Sequence, residues 1–304
     1  MLETLSCPSC GKKLIPRAGH IVAASSFESC LRQCTICGIA FSNASKRPTA
    51  IYKTIEQNVY LSTKDGIREV LGRAVNVRNR KNKLEKFAFQ TSEDAVTWSV
   101  FRYLQNEDKL CQLLGLLGPL QQGPTELYLW GISTQPPYLP VVNGLSILET
   151  SKELGEKPDS ITEPDVIIRS AASVIFIEVK LHSANQTTQD ERKLLKYISK
   201  GKEYFRNTEK ALESRHYELV RNWVVGNMIA GHCRFTLLNL GPSVLFVDKN
   251  SERLKQFVES LDAIEGKREF RCLSWETLID DQTLFDKDIR KYLQLRLELK
   301  TGAR

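Results

Sequence analysis

The stretch Glu163-Pro164-Asp165-Val166-Ile167-Ile168-Arg169-Ser170-Ala171-Ala172-Ser173-Val174-Ile175-Phe176-Ile177-Glu178-Val179-Lys180-Leu181 decides the fold. Two β-branched runs, 166–168 and 174–179, flank a short segment of small and polar residues, the signature of a tight β-hairpin. The side-chain period of two puts Val174, Phe176, Glu178 and Lys180 on one face of the second strand, and Ile175, Ile177, Val179 and Leu181 on the other. A carboxylate and an ammonium therefore project side by side from an apolar strand. With the turn near Ala171, Asp165 falls opposite the region of Ile177 and Glu178, so two carboxylates and a lysine converge.

Carboxylates buried side by side are costly unless a cation lies between them. Mg²⁺ takes one or two carboxylates plus waters and substrate phosphate oxygens, and a neighbouring lysine can activate the attacking water or stabilise phosphate charge. The bland alternative is an edge hairpin with a surface Glu/Lys pair. A second Pro-Asp, at Asp159, is disfavoured because its register carries it beyond Lys180, away from Glu178.

The order Pro164-Asp165, then Glu178-Val179-Lys180, resembles the PD-(D/E)XK nuclease superfamily, which includes restriction endonucleases and related phosphodiesterases. The run Tyr217-Glu218-Leu219-Val220-Arg221-Asn222-Trp223, the strand from Phe235 and the late Leu273-Ser274-Trp275-Glu276 extend the resemblance over residues 90–285. It implies an α/β, restriction-endonuclease-like core, a central mixed sheet flanked by helices. It implies a Mg²⁺-dependent endonuclease cutting DNA, with Mn²⁺ able to substitute. Asp165 and Glu178 would hold the metal, aided by Glu93 and the Val179 carbonyl, and Lys180 would serve the water or the transition state. The expected products are a 5′-phosphate and a 3′-hydroxyl. A restriction or antiphage defence role, with a homodimer or other proteins of a defence or mobile-element system as partners, comes from the resemblance alone.

Glu93 enters on its own pattern. Thr91-Ser92-Glu93-Asp94 has the form of a capping box with Thr91 at the N-cap, and Glu93 then shares a face with Val96, Thr97, Val100 and Phe101. A carboxylate heading an apolar stripe points inward; its alternative role is to favour the helix dipole. Asp94, on a more mixed face, is the fallback, and the long interval from Glu93 to Asp165 implies an insertion.

At the other end, Cys7-Pro8-Ser9-Cys10-Gly11 and Cys34-Thr35-Ile36-Cys37-Gly38 are two Cys-x-x-Cys-Gly knuckles. Four thiolates at this spacing make a closed, tetrahedral, structural Zn²⁺ site, the look of a zinc ribbon. Cys30 and His20 are expected to be spectators. The expected organisation is a zinc ribbon at 1–45, a basic connector at 46–90 and the nuclease-like domain at 91–304.

The connector carries Arg68, Arg73, Arg78, Arg80, Lys81, Lys83 and Lys86, and a later helix carries Lys193, Lys196 and Lys200. Of these Arg73, Arg78, Arg80, Lys81, Lys83, Lys193 and Lys196 are the candidate nucleic-acid contacts, with a solvated surface the alternative. A net charge of +7 favours an anionic partner. No apolar run approaches the roughly 18 residues that span a bilayer, and no basic-then-apolar leader opens the chain, so no membrane partner and a cytoplasmic location are expected.

Further along, 187–214 reads as one long helical stretch and 217–230 as a buried helix whose Arg221 needs an anionic partner. Residues 235–240, 244–247 and 270–273 read as strands, and 251–261 and 286–300 as helices. The rival readings are a non-catalytic nucleic-acid-binding or adaptor protein and, among enzymes, a junction resolvase, a transposon-end nuclease or an RNase.

Overall fold

The structure, a computed structural model, describes residues 2–117, 124–143, 145–247 and 249–298. Five short strands build the N-terminal unit: β1 (Leu5–Ser6) pairs with β2 (Lys13–Leu14), and β3 (Arg32–Cys34), β4 (Ile39–Phe41) and β5 (Ala50–Tyr52) form a three-stranded sheet. Then come α1 (Ile67–Arg73), α2 (Val77–Phe87), α3 (Glu93–Asn106) and α4 (Leu110–Gly115). Strands β6 (Glu126–Leu129) and β7 (Ile132–Ser133) form a hairpin, as do β8 (Val142–Asn143) and β9 (Leu145–Ser146), and α5 (Ile147–Glu153) follows. The chain continues through β10 (Val166–Arg169), β11 (Ser173–Val179), α6 (Glu191–Lys200), α7 (Thr208–Glu213), α8 (Tyr217–Ala230), β12 (Arg234–Gly241), α9 (Lys249–Ser260), β13 (Arg268–Ser274), α10 (Trp275–Asp280) and α11 (Lys287–Glu298).

The main sheet has the order β13-β12-β11-β10-β6-β7. It is mixed: β11, β12 and β13 run parallel, while β10 is antiparallel to both β11 and β6. Helix α8 packs on β11 and β12, and α3 leans on β6. The chain is thus a mixed α/β protein with a six-stranded sheet flanked by helices and a four-cysteine unit at its N-terminus. Among the described residues no helix is long and apolar enough to cross a membrane.

Pairing of Val166 with Ile177 sets the hairpin register and carries Asp165 opposite Glu178. Every residue of β11 is buried, as a central strand covered on both faces requires. On the α8 side Phe176 meets Phe235 edge-on at 5.5 Å, and Trp223 of α8 lies 5.7 Å from Phe235. Gly226 is what lets α8 approach: a Cβ there would fall 2.0 Å from the Phe235 ring.

Several elements depart from the sequence reading for local reasons. The stretch 46–90, read as a connector, is folded into the body: Ile67, Val70, Leu71 and Ala74 recur at helical spacing and are buried in the main core, as is Phe87. The N-cap of α3 is Ser92, accepting from Ala95 N at 3.2 Å. Thr91 stays outside because Gln90 N pairs with Ala50 O and Ser92 N turns back to Phe89 O. Residues 187–214 are two helices, α6 ending at Gly201 and α7 restarting at the Asn207 cap. Residues 243–246 form a 3₁₀ turn after Pro242, which cannot continue a strand ladder. The last helix ends its description at Glu298, so the expected end at residue 300 lies outside the described residues.

The C-terminal helix is tied in by Arg296, buried and donating to the Asn58 carbonyl at 2.8 Å and the Asn58 side chain at 2.7 Å. Asn58 in turn donates to the Phe87 and Phe89 carbonyls. The N-terminal unit is joined to the body by the Ile51–Phe89 bridge and by Tyr52 N bonding Ala88 O.

Candidate active site

The even face of β11 and the start of β10 open into a cleft of about 750 Å³. Asp165, Glu178, Val179 and Lys180 all line it, as the hairpin register requires. Asp165 Oδ2 accepts the Val179 N–H at 2.8 Å, locking the two strands where they diverge. Glu178 Oε1 accepts from Lys180 Nζ at 2.6 Å, and its Oε2 accepts from Asn222 Nδ2 of α8 at 2.7 Å. The Lys180 carbonyl is fixed from behind by the buried Trp275 indole at 2.9 Å.

A third carboxylate, Glu218 near the start of α8, completes the group. It lies 2.8 Å from Lys180 Nζ and accepts the Gln186 N–H at 2.9 Å. Burial opposes a charge on Lys180, but Glu178 and Glu218 outweigh it and hold the ammonium protonated. Burial pushes Asp165 well above the usual carboxylate range, and the neighbouring Glu178 charge pushes it further. Glu178 is likewise raised by burial, with Glu218 adding to the rise against the pull of Lys180. Two carboxylates held up in this way gain from a nearby cation. Hard oxygen donors of this kind fit Mg²⁺ or Mn²⁺ and not a soft metal.

Glu93 enters the same cleft with a different task. Its Oε1 accepts the N–H groups of Leu181, His182 and Ser183 at 2.9, 2.7 and 2.9 Å, and both its oxygens take the Ser183 hydroxyl. Burial would raise this carboxyl, but those backbone donors bring it below its usual range. Glu93 thus pins the loop that leaves β11. Among the described residues only the four cysteines gather three or more candidate ligand groups closely, so Glu93 does not close on Asp165 and Glu178 as a ligand set.

The cysteine cluster is compact: one ligand atom from each of Cys7, Cys10, Cys34 and Cys37 lies within 4.8 Å of the others. Each knuckle closes on a glycine with positive φ, Gly11 at 72° and Gly38 at 66°, whose N–H bonds back to Cys7 O and Cys34 O at 2.9 Å. Four thiolates converging without other donors fit a structural Zn²⁺. Cys30 is buried outside the cluster, its thiol donating to Ser26 O and pushed up to about 11 by burial, and His20 is outside it too. The loop between the knuckles reaches the cleft, where Ala24 and Ser25 form part of its wall.

The basic candidates divide. Arg80 caps α1, donating to Ala74 O at 2.7 Å and Arg73 O at 3.3 Å, and Arg73 bonds Pro137 O over the Tyr138 ring. Lys83 is bound between Asp94 and Glu163 at 2.9 and 3.2 Å, with its side chain 13% exposed. These three are occupied by the fold. Arg78, Lys81 and Lys86 remain exposed on α2, Lys86 at the cleft and Lys81 loosely paired with Glu85 at 3.9 Å. On α6 Lys193 is exposed and Lys196 lies over the Tyr197 ring.

Arg221 of α8 also faces the cleft. Its guanidinium lies 5.4 Å over the Tyr217 ring and its Nε reaches Asn222 Oδ1 at 3.4 Å, yet among the described residues no carboxylate comes within 4.0 Å of it. Glu218 and Asn222 were missed in the sequence. The signal was present: Glu218, Arg221 and Asn222, at i, i+3 and i+4, are one polar corner of a mostly apolar helix.

The fold and site define a mixed α/β chain with a four-cysteine cluster and a cleft built on an acid–acid–lysine hairpin. Comparison with protein-family models, with curated proteins and with solved structures returns no match.

Proposed function

We propose that the cleft is the active site of a divalent-metal-dependent phosphodiesterase that cuts nucleic acid, with DNA the expected substrate. The reading rests on one observation above the others. Asp165, Glu178 and Lys180 meet at the paired ends of β10 and β11, at the wall of a cleft of about 750 Å³.

Asp165 and Glu178 would hold Mg²⁺ or Mn²⁺, with the Val179 carbonyl beside them. The bound ion would supply Lewis-acid polarisation of a phosphoryl oxygen and a more acidic water. Lys180, kept cationic by two carboxylates, is suited to stabilise charge on the pentavalent phosphorus and not to accept a proton. Arg221 makes no direct ion pair among the described residues, although the charges of Glu178 and Glu218 act on it, and it is placed to take a phosphate oxygen. Glu93 holds the loop 181–183 so that Lys180 keeps its position. Water adds to phosphorus and the P–O3′ bond breaks, leaving a 5′-phosphate and a 3′-hydroxyl. Arg78, Lys81 and Lys86 on α2 supply a basic edge for the flanking backbone. A role in restriction or antiphage defence belongs to this proposal through the resemblance only.

One observation favours the adaptor alternative. Both Glu178 oxygens already have donors, Lys180 and Asn222, so the site is charge-compensated as it stands. Cleavage of plasmid, linear duplex, single-stranded DNA and RNA by wild type, Asp165→Ala, Glu178→Ala and Lys180→Ala, with Mg²⁺, Mn²⁺ or EDTA, separates the two. Metal-dependent cutting lost in all three variants is the expected result. A folded wild type that binds DNA with steep salt dependence and cuts nothing would establish the adaptor.

A further inference from the structure

Beside Asp165 the cleft contains a second acidic pair that the proposed chemistry does not use. Asp94, in the first turn of α3, and Glu163, just before β10, both line the cleft and both reach one point. That point is the Lys83 ammonium, 2.9 Å from Asp94 Oδ1 and 3.2 Å from Glu163 Oε1. Each carboxylate is held by a second donor: the Trp130 indole N–H gives 3.0 Å to Asp94 Oδ1, and Asn76 N gives 2.9 Å to Glu163 Oε2. The Trp130 ring also lies 5.1 Å under the ammonium. Three elements, α2, α3 and the entry to β10, therefore converge to fix one positive charge.

Two carboxylates aimed at one point, Glu163 with a buried side chain and Asp94 half-buried, with Asp165 close by, are a donor set suited to a second divalent ion. Two-metal phosphodiesterase sites place their ions about 3.5–4 Å apart across shared carboxylates. Here a tethered ammonium occupies the space between Asp94 and Glu163. Asp165 is near enough for its charge to help keep Lys83 protonated, after Asp94 and Glu163 and against the opposing effect of burial. A lysine bound this firmly is poorly placed to travel to a substrate phosphate.

We propose that Lys83 is a built-in cation standing in for a second divalent ion, so that the cleft takes one Mg²⁺ or Mn²⁺, at Asp165 and Glu178. The inference rests on the metal-dependent reading of the cleft and adds to it the number of ions and the residue that sets that number. Its substrate consequence is one-ion chemistry, in which Lys180 and Arg221 supply the positive charge that a second ion would otherwise bring to the phosphate.

The test is a Mn²⁺ titration of the full, zinc-loaded chain, followed by electron paramagnetic resonance and calorimetry. Wild type and Lys83→Arg are expected to bind one Mn²⁺, and Asp165→Asn to lose it. Lys83→Met, which frees the Asp94–Glu163 pair, is expected to bind two. Because removing Lys83 takes the bridging cation from Asp94 and Glu163 and leaves them only the Trp130 and Asn76 N–H donors, thermal unfolding is measured alongside. Saturating Mn²⁺ should raise the Tm of Lys83→Met more than that of Lys83→Arg. Two ions in wild type would overturn the inference, and so would a folded Lys83→Met that still binds one. No Mn²⁺ uptake by wild type would instead remove the metal-dependent reading on which the inference stands.

Discussion

Arg221 stands one turn beyond Glu218 on α8 and faces the cleft; its direct contacts are a ring and a long amide, and the charges of Glu178 and Glu218 help keep it cationic. A guanidinium in that position is an anion site by chemistry, and a lost phosphate contact has a known signature. Arg221→Gln should weaken binding of a DNA oligonucleotide roughly tenfold, measured without added Mg²⁺ or Mn²⁺ so that no cutting intervenes. It should also lower the slope of log affinity against log salt by about 0.9 for duplex or about 0.7 for a single strand. An unchanged slope would remove Arg221 from the substrate path. His216, just before α8, gives a pH-dependent counterpart. Its ring is buried against Phe257 and neither nitrogen has a hydrogen-bond partner among the described residues. Burial, with the nearby Arg253 charge, lowers it from 6.5 to about 4 despite Glu218. Between those values the unfolded chain binds a proton that the folded chain refuses, so stability falls as pH drops from 6.5 toward 4, by at most about 3 kcal/mol. Asp165 and Glu178, raised in the fold, act in the opposite direction, so the readout is a difference: the Tm-versus-pH curve of His216→Leu should lack the wild-type loss on acidification. At this scale Glu178 and Lys180 were legible because alternation alone puts them on one face. The partners of Lys83 and Glu93 were not, because Asp94, Glu163 and the loop 181–183 are brought to them by tertiary packing.

Among elements, the hairpin β10–β11 and the helix α8 could be read directly, one from its β-branched runs and turn, the other from a continuous apolar surface. The helices α1 and α2 were hidden by their basic residues, although Ile67, Val70, Leu71 and Ala74 carry the period of an amphipathic helix. The break between α6 and α7 was hidden for another reason. Gly201 is needed not for a turn but because a Cβ there would meet Val224 of α8 at 2.7 Å, a contact that no local pattern announces. Gly226 is the stricter case of the same constraint. In an exposed helix Gly→Ala stabilises by up to about 1 kcal/mol. Here the added methyl would lie 2.0 Å from the Phe235 ring, and α8 would have to lift from the sheet or the ring leave its place between Phe176 and Trp223. Gly226→Ala should therefore destabilise by about 1–3 kcal/mol, the usual range for overpacking a filled core. Chemical denaturation measures it, and a stabilised variant would show that α8 is not pressed against β12. Because Asn222 and Glu218 ride on the same helix, any lift of α8 also withdraws the donor to Glu178 and the second carboxylate from Lys180.

In the whole molecule the N-terminal unit is both a small structure built around a four-cysteine cluster compatible with zinc and a wall of the cleft. The first property was legible, since two knuckles close locally and their spacing survives any tertiary arrangement. The second was not, since Ala24 and Ser25 reach the cleft only through the packing of Ile51 against Phe89 and the pairing of β5 with the segment before α3. The unit has little apolar interior of its own: Cys7, Leu14, Cys34, Ile39 and Ala50 form one small cluster and Phe27, Cys30, Ala40 and Ile51 another. Units of this size depend on bound zinc for much of their folding free energy. The main core, in contrast, is continuous from Ile55 to Leu293 and includes none of the cysteine ligands. Stripping zinc with a tight chelator should thus open residues 2–45 to limited proteolysis while the sheet β6–β13 stays protected, and Cys7→Ser with Cys34→Ser should reproduce the pattern. The same treatment should weaken oligonucleotide binding by a few-fold, because the wall that carries Ala24 and Ser25 is lost while Asp165, Glu178 and Lys180 keep their places. Equal protease resistance with and without zinc would show that the unit is held by its packing on Phe89 and not by its metal. Collapse of the whole chain would show that β5 and the segment 86–90 carry the loss into the main core.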